Sequence, residues 1–236
     1  MPEFKGRISI TERLCYGPEV RNNQAIADAL LFALEYVAGA SVEGDVVEFG
    51  TMTGRTATVL AAAMASFRHP GNLHLFDSFS GLPEATSQFD RSSFHVKDGV
   101  WSEGTLQGIS PSALRLKCRR YLPDNRIVIY EGWFSDTIKK LPEGQKFGLI
   151  HVDSDLYQST IDVLDPLFGR GMVSEGAALL FDDWNCNRAS NQMGERRAWR
   201  ELSEKYRVDY SDGGDYGWAG HRFTIHAYEI PTSTLT

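Results

Sequence analysis

Five short apolar runs, each closing on an acid, constrain the fold of this 236-residue chain more than any other feature. They are "DVVEFG" from Asp45, "NLHLFD" from Asn72, "RIVIYEG" from Arg126, "FGLIHVD" from Phe147 and "GAALLFDDW" from Gly176. Short runs rich in Val, Ile, Leu and Phe read as strands buried on both faces. Helical patterns separate them. In "NNQAIADALLFALEYVAGA", Ile26, Leu30, Leu34 and Val37 share one face. Residues 54–67 are Ala-rich, and "SPSALRLKCRRYL" offers Ser110 as N-cap and Pro111 at the first helical position. "STIDVLDPLF" and "GERRAWRELSEKY" are the later helices. Such alternation predicts an α/β fold with a mostly parallel sheet covered on both faces. "RVDYS" and "RFTIHAYEI" have no helix between them, so they predict an antiparallel hairpin around a Gly-rich turn. The expectation is about seven strands in one domain over 1–236, with a helical segment at 1–44. Residues 78–110 are polar and long for a loop, and are expected to hold a short helix or two over a site.

Charge and cysteine content exclude several classes. The net charge of −7, from 24 basic and 31 acidic residues, disfavours nucleic acid as a partner. The basic cluster "RLKCRRY" reads as a solvated helix face. No apolar run is long enough for a membrane span, and the N-terminus has no signal pattern, so no membrane and a cytoplasmic location are expected. Cys15, Cys118 and Cys186 are scattered and form neither a disulfide framework nor a zinc spacing.

Ligands of open parallel sheets sit beyond the carboxyl ends of the strands. Those ends carry Glu48, Asp77, Glu131, Asp153 and the pair Asp182 and Asp183. In "VVEFGTMTGRTA", Gly50 and Gly54 permit a tight turn between strand and helix. Glu48 beside that turn would repel a phosphate and suits a cationic or amine-bearing ligand. Asp77, at the end of the second strand, is placed to accept ribose hydroxyls. Together they favour a nucleoside that carries positive charge and no phosphate, a description that S-adenosylmethionine fits. Asp153, Asp182 and Asp183 are expected to converge from two adjacent strand tips. Two such charges about 4 Å apart repel by about 4 kcal/mol at an effective dielectric near 20. The trio therefore points to a cation with hard oxygen ligands, Mg²⁺ first and Mn²⁺ or Ca²⁺ next. Asp155 reads as a helix cap or a solvent-facing residue. The D-x-D pattern of "DSD" also admits a metal-dependent glycosyltransferase, although Glu48 and a rim without basic residues oppose a diphosphate. A non-catalytic binding protein is the third alternative.

Five segments, "DVVEFGTMTGRT", "FDSFSGLP", "YEGWFSDTI", "HVDSDLYQSTIDVLDPLF" and "LLFDDW", resemble the macrocin O-methyltransferase family in order and spacing. The resemblance spans about 44–184. It implies a class I methyltransferase (Rossmann-like) fold and Mg²⁺- and S-adenosylmethionine-dependent methylation of a small-molecule hydroxyl, a sugar's by expectation, in natural-product (antibiotic) biosynthesis. It also implies that Glu48, Gly50, Asp77, Gly132 and Trp133 hold the cofactor, with Thr51, Gly54, Ser78 and Asp153 beside them. Asp153, Asp182 and Asp183 are its implied metal ligands. Arg55 stands where the family more often has a second glycine, and Thr53 where it tends to be basic. Asp153 and His95, the latter in the covering stretch, are the candidates for the general base. Leu156 occupies the position of the lysine base of catechol-type relatives, so that mechanism does not transfer. Phe79, Phe89, Phe94, Trp101, Trp133, Trp184 and Trp218 are candidates to line an acceptor pocket. A homodimer is expected, packed across the segment before Asp45.

Overall fold

The computed structural model describes residues 18–231. Cys15 and the rest of the expected N-terminal segment before Pro18 lie outside them. Helix α1 (Pro18–Gly39) leads into β1 (Asp45–Phe49), α2 (Arg55–Ser66) and β2 (Leu73–Asp77). Residues 78–110 carry two short helices, α3 (Gln88–Ser92) and α4 (Phe94–Lys97). Next come α5 (Pro111–Cys118), β3 (Ile127–Glu131), α6 (Phe134–Thr137), β4 (Phe147–Val152) and α7 (Tyr157–Gly169). The chain ends with β5 (Val173–Phe181), α8 (Cys186–Ala189), α9 (Gly194–Lys205), β6 (Asp209–Tyr216) and β7 (Gly220–Ala227).

The strands form one sheet in the order β3-β2-β1-β4-β5-β7-β6. Strands β1 to β5 are parallel, and β7 runs antiparallel to both β5 and β6. This is the mixed sheet that the alternation predicts. A hydrophobic core lies on each face. On one, Leu30 and Leu34 of α1 pack with Leu60 of α2, Leu114 of α5 and Leu73, Leu75 and Leu149 of the sheet. On the other, Val163, Leu164 and Phe168 of α7 meet Phe147, Phe181 and Trp199. Each such fully buried side chain contributes about 1.5–3 kcal/mol. Strand order reverses between β1 and β4, so a crevice opens beyond their carboxyl ends.

Two elements depart from the sequence reading. Strand β5 starts at Val173 rather than Gly176. Strand β6 runs through "DGGDY", which reads as a turn in the sequence, and the reversal is confined to 217–219. The glycines serve the strand: the register shifts between Asp212 and Gly214, and a Cβ on Gly213 would crowd Arg222. The predicted start of α5 is observed, with Ser110 Oγ accepting from the Ala113 N–H at 3.3 Å. No helix of the described residues is long and apolar enough to cross a membrane.

Candidate functional site

A cavity of about 420 Å³ opens beyond β1, β2, β4 and β5, under the cover segment. Its wall is acidic: Asp77, Glu84, Asp90 and Asp162 stand there with Asp153, Asp155 and Asp183. No Lys, Arg or His lines it among the described residues.

The turn after β1 forms one edge. Gly50 has φ +91°, and a Cβ there would collide with the Asp153 carbonyl. Only glycine lets the β1 and β4 tips approach this closely. Asp77 organises the same turn: its Oδ2 accepts from Thr51 N–H at 2.7 Å, Thr51 Oγ1 at 2.9 Å and Met52 N–H at 3.0 Å. Among the described residues its Oδ1 accepts from Phe79 N–H alone, at 2.7 Å, which leaves acceptor capacity on a side chain that lines the cavity. Gly50, Asp77, Ser78, Gly132, Trp133 and Asp153, all expected near a cofactor, line the cavity. Thr51, Gly54 and Glu48 do not. Thr51 is buried as a partner of Asp77, and a Cβ on Gly54 would meet Leu114 of α5 at 2.7 Å, so that glycine serves packing.

At the floor, Asp153, Asp155 and Asp183 each offer a carboxylate oxygen, all within 4.8 Å of one another. Asp155 joins the group in place of the expected Asp182. Its backbone is left-handed, φ 60°, and the start of α7 takes its cap from Asp90 instead. Consecutive residues leaving a strand point to opposite sides, so Asp182 and Asp183 diverge. Asp182 turns to His151, with Oδ1 3.9 Å from Nε2. Burial and then the neighbouring carboxylates, Asp182 and Asp183 foremost, push Asp153 and Asp155 well above the usual carboxylate range. Asp183 rises to about 7 for the same reasons. Its Oδ2 is buried without a hydrogen-bond partner among the described residues. An all-oxygen donor set with an orphaned buried oxygen and unrelieved repulsion fits a hard divalent cation.

Three buried residues around the floor escape a strand-tip reading. Glu195 of α9 is buried, and its Oε2 accepts from the Asp183 N–H at 3.0 Å, which fixes that loop. Asp90 of the cover is buried against the start of α7. His151 lies inside β4, with Nδ1 2.9 Å from Glu48 Oε1 and both side chains fully buried. Burial alone would drive its imidazole toward neutrality. The Asp182 and Glu48 carboxylates outweigh that and raise its pKa to about 10. Glu48 is therefore part of a buried ion pair beneath the cavity rather than of its wall.

His95, a candidate base, does not line the cavity. Its ring stacks on Trp101 at 4.5 Å, and Nδ1 lies 3.2 Å from Asn187 Oδ1. Of the candidate aromatic residues only Trp133 lines the cavity; Trp184 is part of the core.

Comparison with known proteins bears on this arrangement. The family described as macrocin-O-methyltransferase (TylF) matches residues 24–211. The chain is 28% identical over 197 residues to the 8-demethyl-8-(2,3-dimethoxy-alpha-L-rhamnosyl)-tetracenomycin-C 4'-O-methyltransferase of Streptomyces olivaceus, covering 81% of this chain and 71% of that one. It is 27% identical over 183 residues to the demethyldecarbamoylnovobiocin O-methyltransferase of Streptomyces niveus, covering 76% and 68%. Among solved structures, the O-methyltransferase NovP superposes with a TM-score of 0.74 at 23% identity, covering 90% of this chain and 89% of NovP. The calicheamicin methyltransferase CalS11 gives 0.66 at 21% identity, covering 93% and 87%. At those identities the likeness is one of fold, the class I methyltransferase fold.

Proposed function

Because this chain belongs to the macrocin-O-methyltransferase family and is an O-methyltransferase, we propose that it moves a methyl group from S-adenosylmethionine to a sugar hydroxyl of a small-molecule natural product. In this reading a divalent cation, Mg²⁺ by preference, is held by Asp153, Asp155 and Asp183. The observation that carries the proposal is the convergence of those three carboxylates on the floor of a cavity whose wall contains Asp77, Gly132 and Trp133.

The residues divide the work. Asp77 uses its remaining Oδ1 lone pair for a ribose hydroxyl, and Gly132 and Trp133 enclose the nucleoside. The acidic wall favours a sulfonium over a phosphorylated ligand, which counts against the nucleotide-sugar alternative. A bound divalent cation supplies Lewis-acid polarisation of the acceptor oxygen. Of the two candidate bases, Asp153 lines the cavity, whereas His95 faces Asn187. The cover segment excludes water and places the acceptor, and such positioning is worth about 7–11 kcal/mol of the barrier.

Calorimetry with S-adenosylmethionine, followed by methyl transfer to a panel of glycosylated hydroxyl compounds with and without Mg²⁺, tests the proposal. Donor binding, Mg²⁺-dependent transfer and its loss in Asp153→Ala are expected. Tight binding of a nucleotide sugar with no affinity for S-adenosylmethionine would overturn it.

A further inference from the structure

We propose that Asp90, on the cover segment, is a positioning residue for the acidic turn at 153–156. Its carboxylate sets the start of α7, so the turn takes its working shape only with the cover docked. The consequence for cation affinity rests on the divalent-cation reading above.

The first N–H groups of a helix have no partner within it. At the start of α7 the capping position is Leu156, which has no side-chain oxygen. Asp90 supplies the cap from 67 residues away: Oδ1 accepts from Tyr157 N–H at 2.8 Å, and Oδ2 from Gln158 N–H at 3.2 Å. At 2% exposure, that carboxylate depends on these donors. The same group is tied to the cap of α3, Ser87. Ser87 Oγ donates to Asp90 Oδ2 at 2.7 Å and accepts from the Asp90 N–H at 3.0 Å. The Asp90 carboxylate thus joins the capping hydroxyl of a cover helix to the start of the helix after the acidic turn.

Neighbours hold the junction. Phe89 meets Tyr157 edge-on at 5.1 Å, and the Arg197 guanidinium lies 3.4 Å over the Phe89 ring. Tyr157 donates its hydroxyl to Glu201 at 2.6 Å. Two residues before Tyr157, Asp155 has φ 60°, a conformation that a residue with a Cβ keeps only where its surroundings impose it. One end of the turn is fixed to β1 by the Asp153 N–H bond to the Phe49 carbonyl at 2.9 Å. Asp90 fixes the other. A second tie joins the cover to the loop after Asp183: Asn187, itself buried, accepts from Ser93 Oγ at 2.7 Å. The cover therefore spans both loops that carry the acids.

The test compares the wild type with Asp90→Asn and Asp90→Glu by calorimetric titration of Mn²⁺ and, separately, of S-adenosylmethionine. Amide hydrogen exchange over 153–160 is followed without metal. Asn keeps the shape but loses the charge and turns an N–H toward an N–H of α7. The expected result is a Mn²⁺ dissociation constant raised by about tenfold or more. Amides at 155–158 exchange faster, S-adenosylmethionine affinity falls far less than Mn²⁺ affinity because Asp90 is one of several acids on the wall, and Glu restores part of the loss. Equal weakening of both ligands with a lowered melting temperature would mark Asp90 as a folding residue only and overturn the proposal. So would unchanged exchange and Mn²⁺ affinity in Asp90→Asn. A wild type that binds S-adenosylmethionine but no Mn²⁺ would remove the cation reading, and exchange at 155–158 would then decide the role of Asp90. Failure of the wild type to bind S-adenosylmethionine would instead strike the proposed function.

Discussion

Replacing His151 with Gln tests the buried base of the site quantitatively. In the wild type the imidazole sits between Glu48, 2.9 Å away, and Asp182, 3.9 Å away, and the Glu48 and His151 side chains have no solvent contact. Gln keeps a donor and nearly the volume but removes the positive charge. Removing one partner of a buried ion pair costs about 3–5 kcal/mol. The pH dependence is the sharper test. The folded pKa of His151 is about 10 against 6.5 for the free side chain, so its protonation stabilises the fold fully below pH 6.5. That contribution fades as pH rises toward 10, by about 1.4 kcal/mol per pH unit. Urea denaturation of both proteins at pH 6.5, 8 and 9.5, with metal chelated, should show the gap between them shrinking along that slope. A gap that stays constant with pH, or one under about 1 kcal/mol at pH 6.5, would refute the assignment of a charged imidazole under the cavity.

The acid cluster gives a stability prediction of opposite sense to that of an ordinary salt-bridged carboxylate. Burial and like charge raise Asp183 to about 7 from 3.8, so the metal-free fold binds more protons than the unfolded chain between those values. Metal-free protein should therefore melt higher at pH 5.5 than at pH 7.5, with saturating Mn²⁺ shrinking the difference to the part contributed by His151; scanning calorimetry reads this directly. Asp155→Asn should raise the metal-free melting temperature and weaken Mn²⁺ binding by at least about tenfold, whereas Asp182→Asn should change Mn²⁺ affinity much less. A stronger effect from Asp182 would return it to the ligand set. Gly50→Ala should lose at least about 2 kcal/mol of stability and most donor affinity, because its Cβ meets the Asp153 carbonyl in a left-handed backbone.

Local chemistry made much of the fold readable. Ser110 followed by Pro111 marks the start of α5 because capping is decided within four residues. The five acid-tipped runs point to the rim where the cavity lies, because a parallel sheet sends every strand end to the same side. The positions where the structure groups residues differently depend on contacts between distant residues. Asp182 and Asp183 look equivalent in sequence, and only the ring of His151 on the adjacent strand separates them. Asp155 read as a cap because it precedes a helix, yet that helix is capped from the cover by Asp90. The D-x-D spacing was the available clue, since alternate residues of an extended segment share a face. The strand through Gly213 escaped because a bulge and a turn draw on the same residue types.

The cavity wall, acidic and without a cationic side chain among the described residues, has a consequence for turnover. In the proposed reaction the donor enters as a sulfonium and leaves as an uncharged thioether. The attraction that fills the pocket is cancelled by the event it serves, so spent donor is held more weakly than fresh donor. On that reading the by-product loses the wall's attraction at the moment the methyl group leaves.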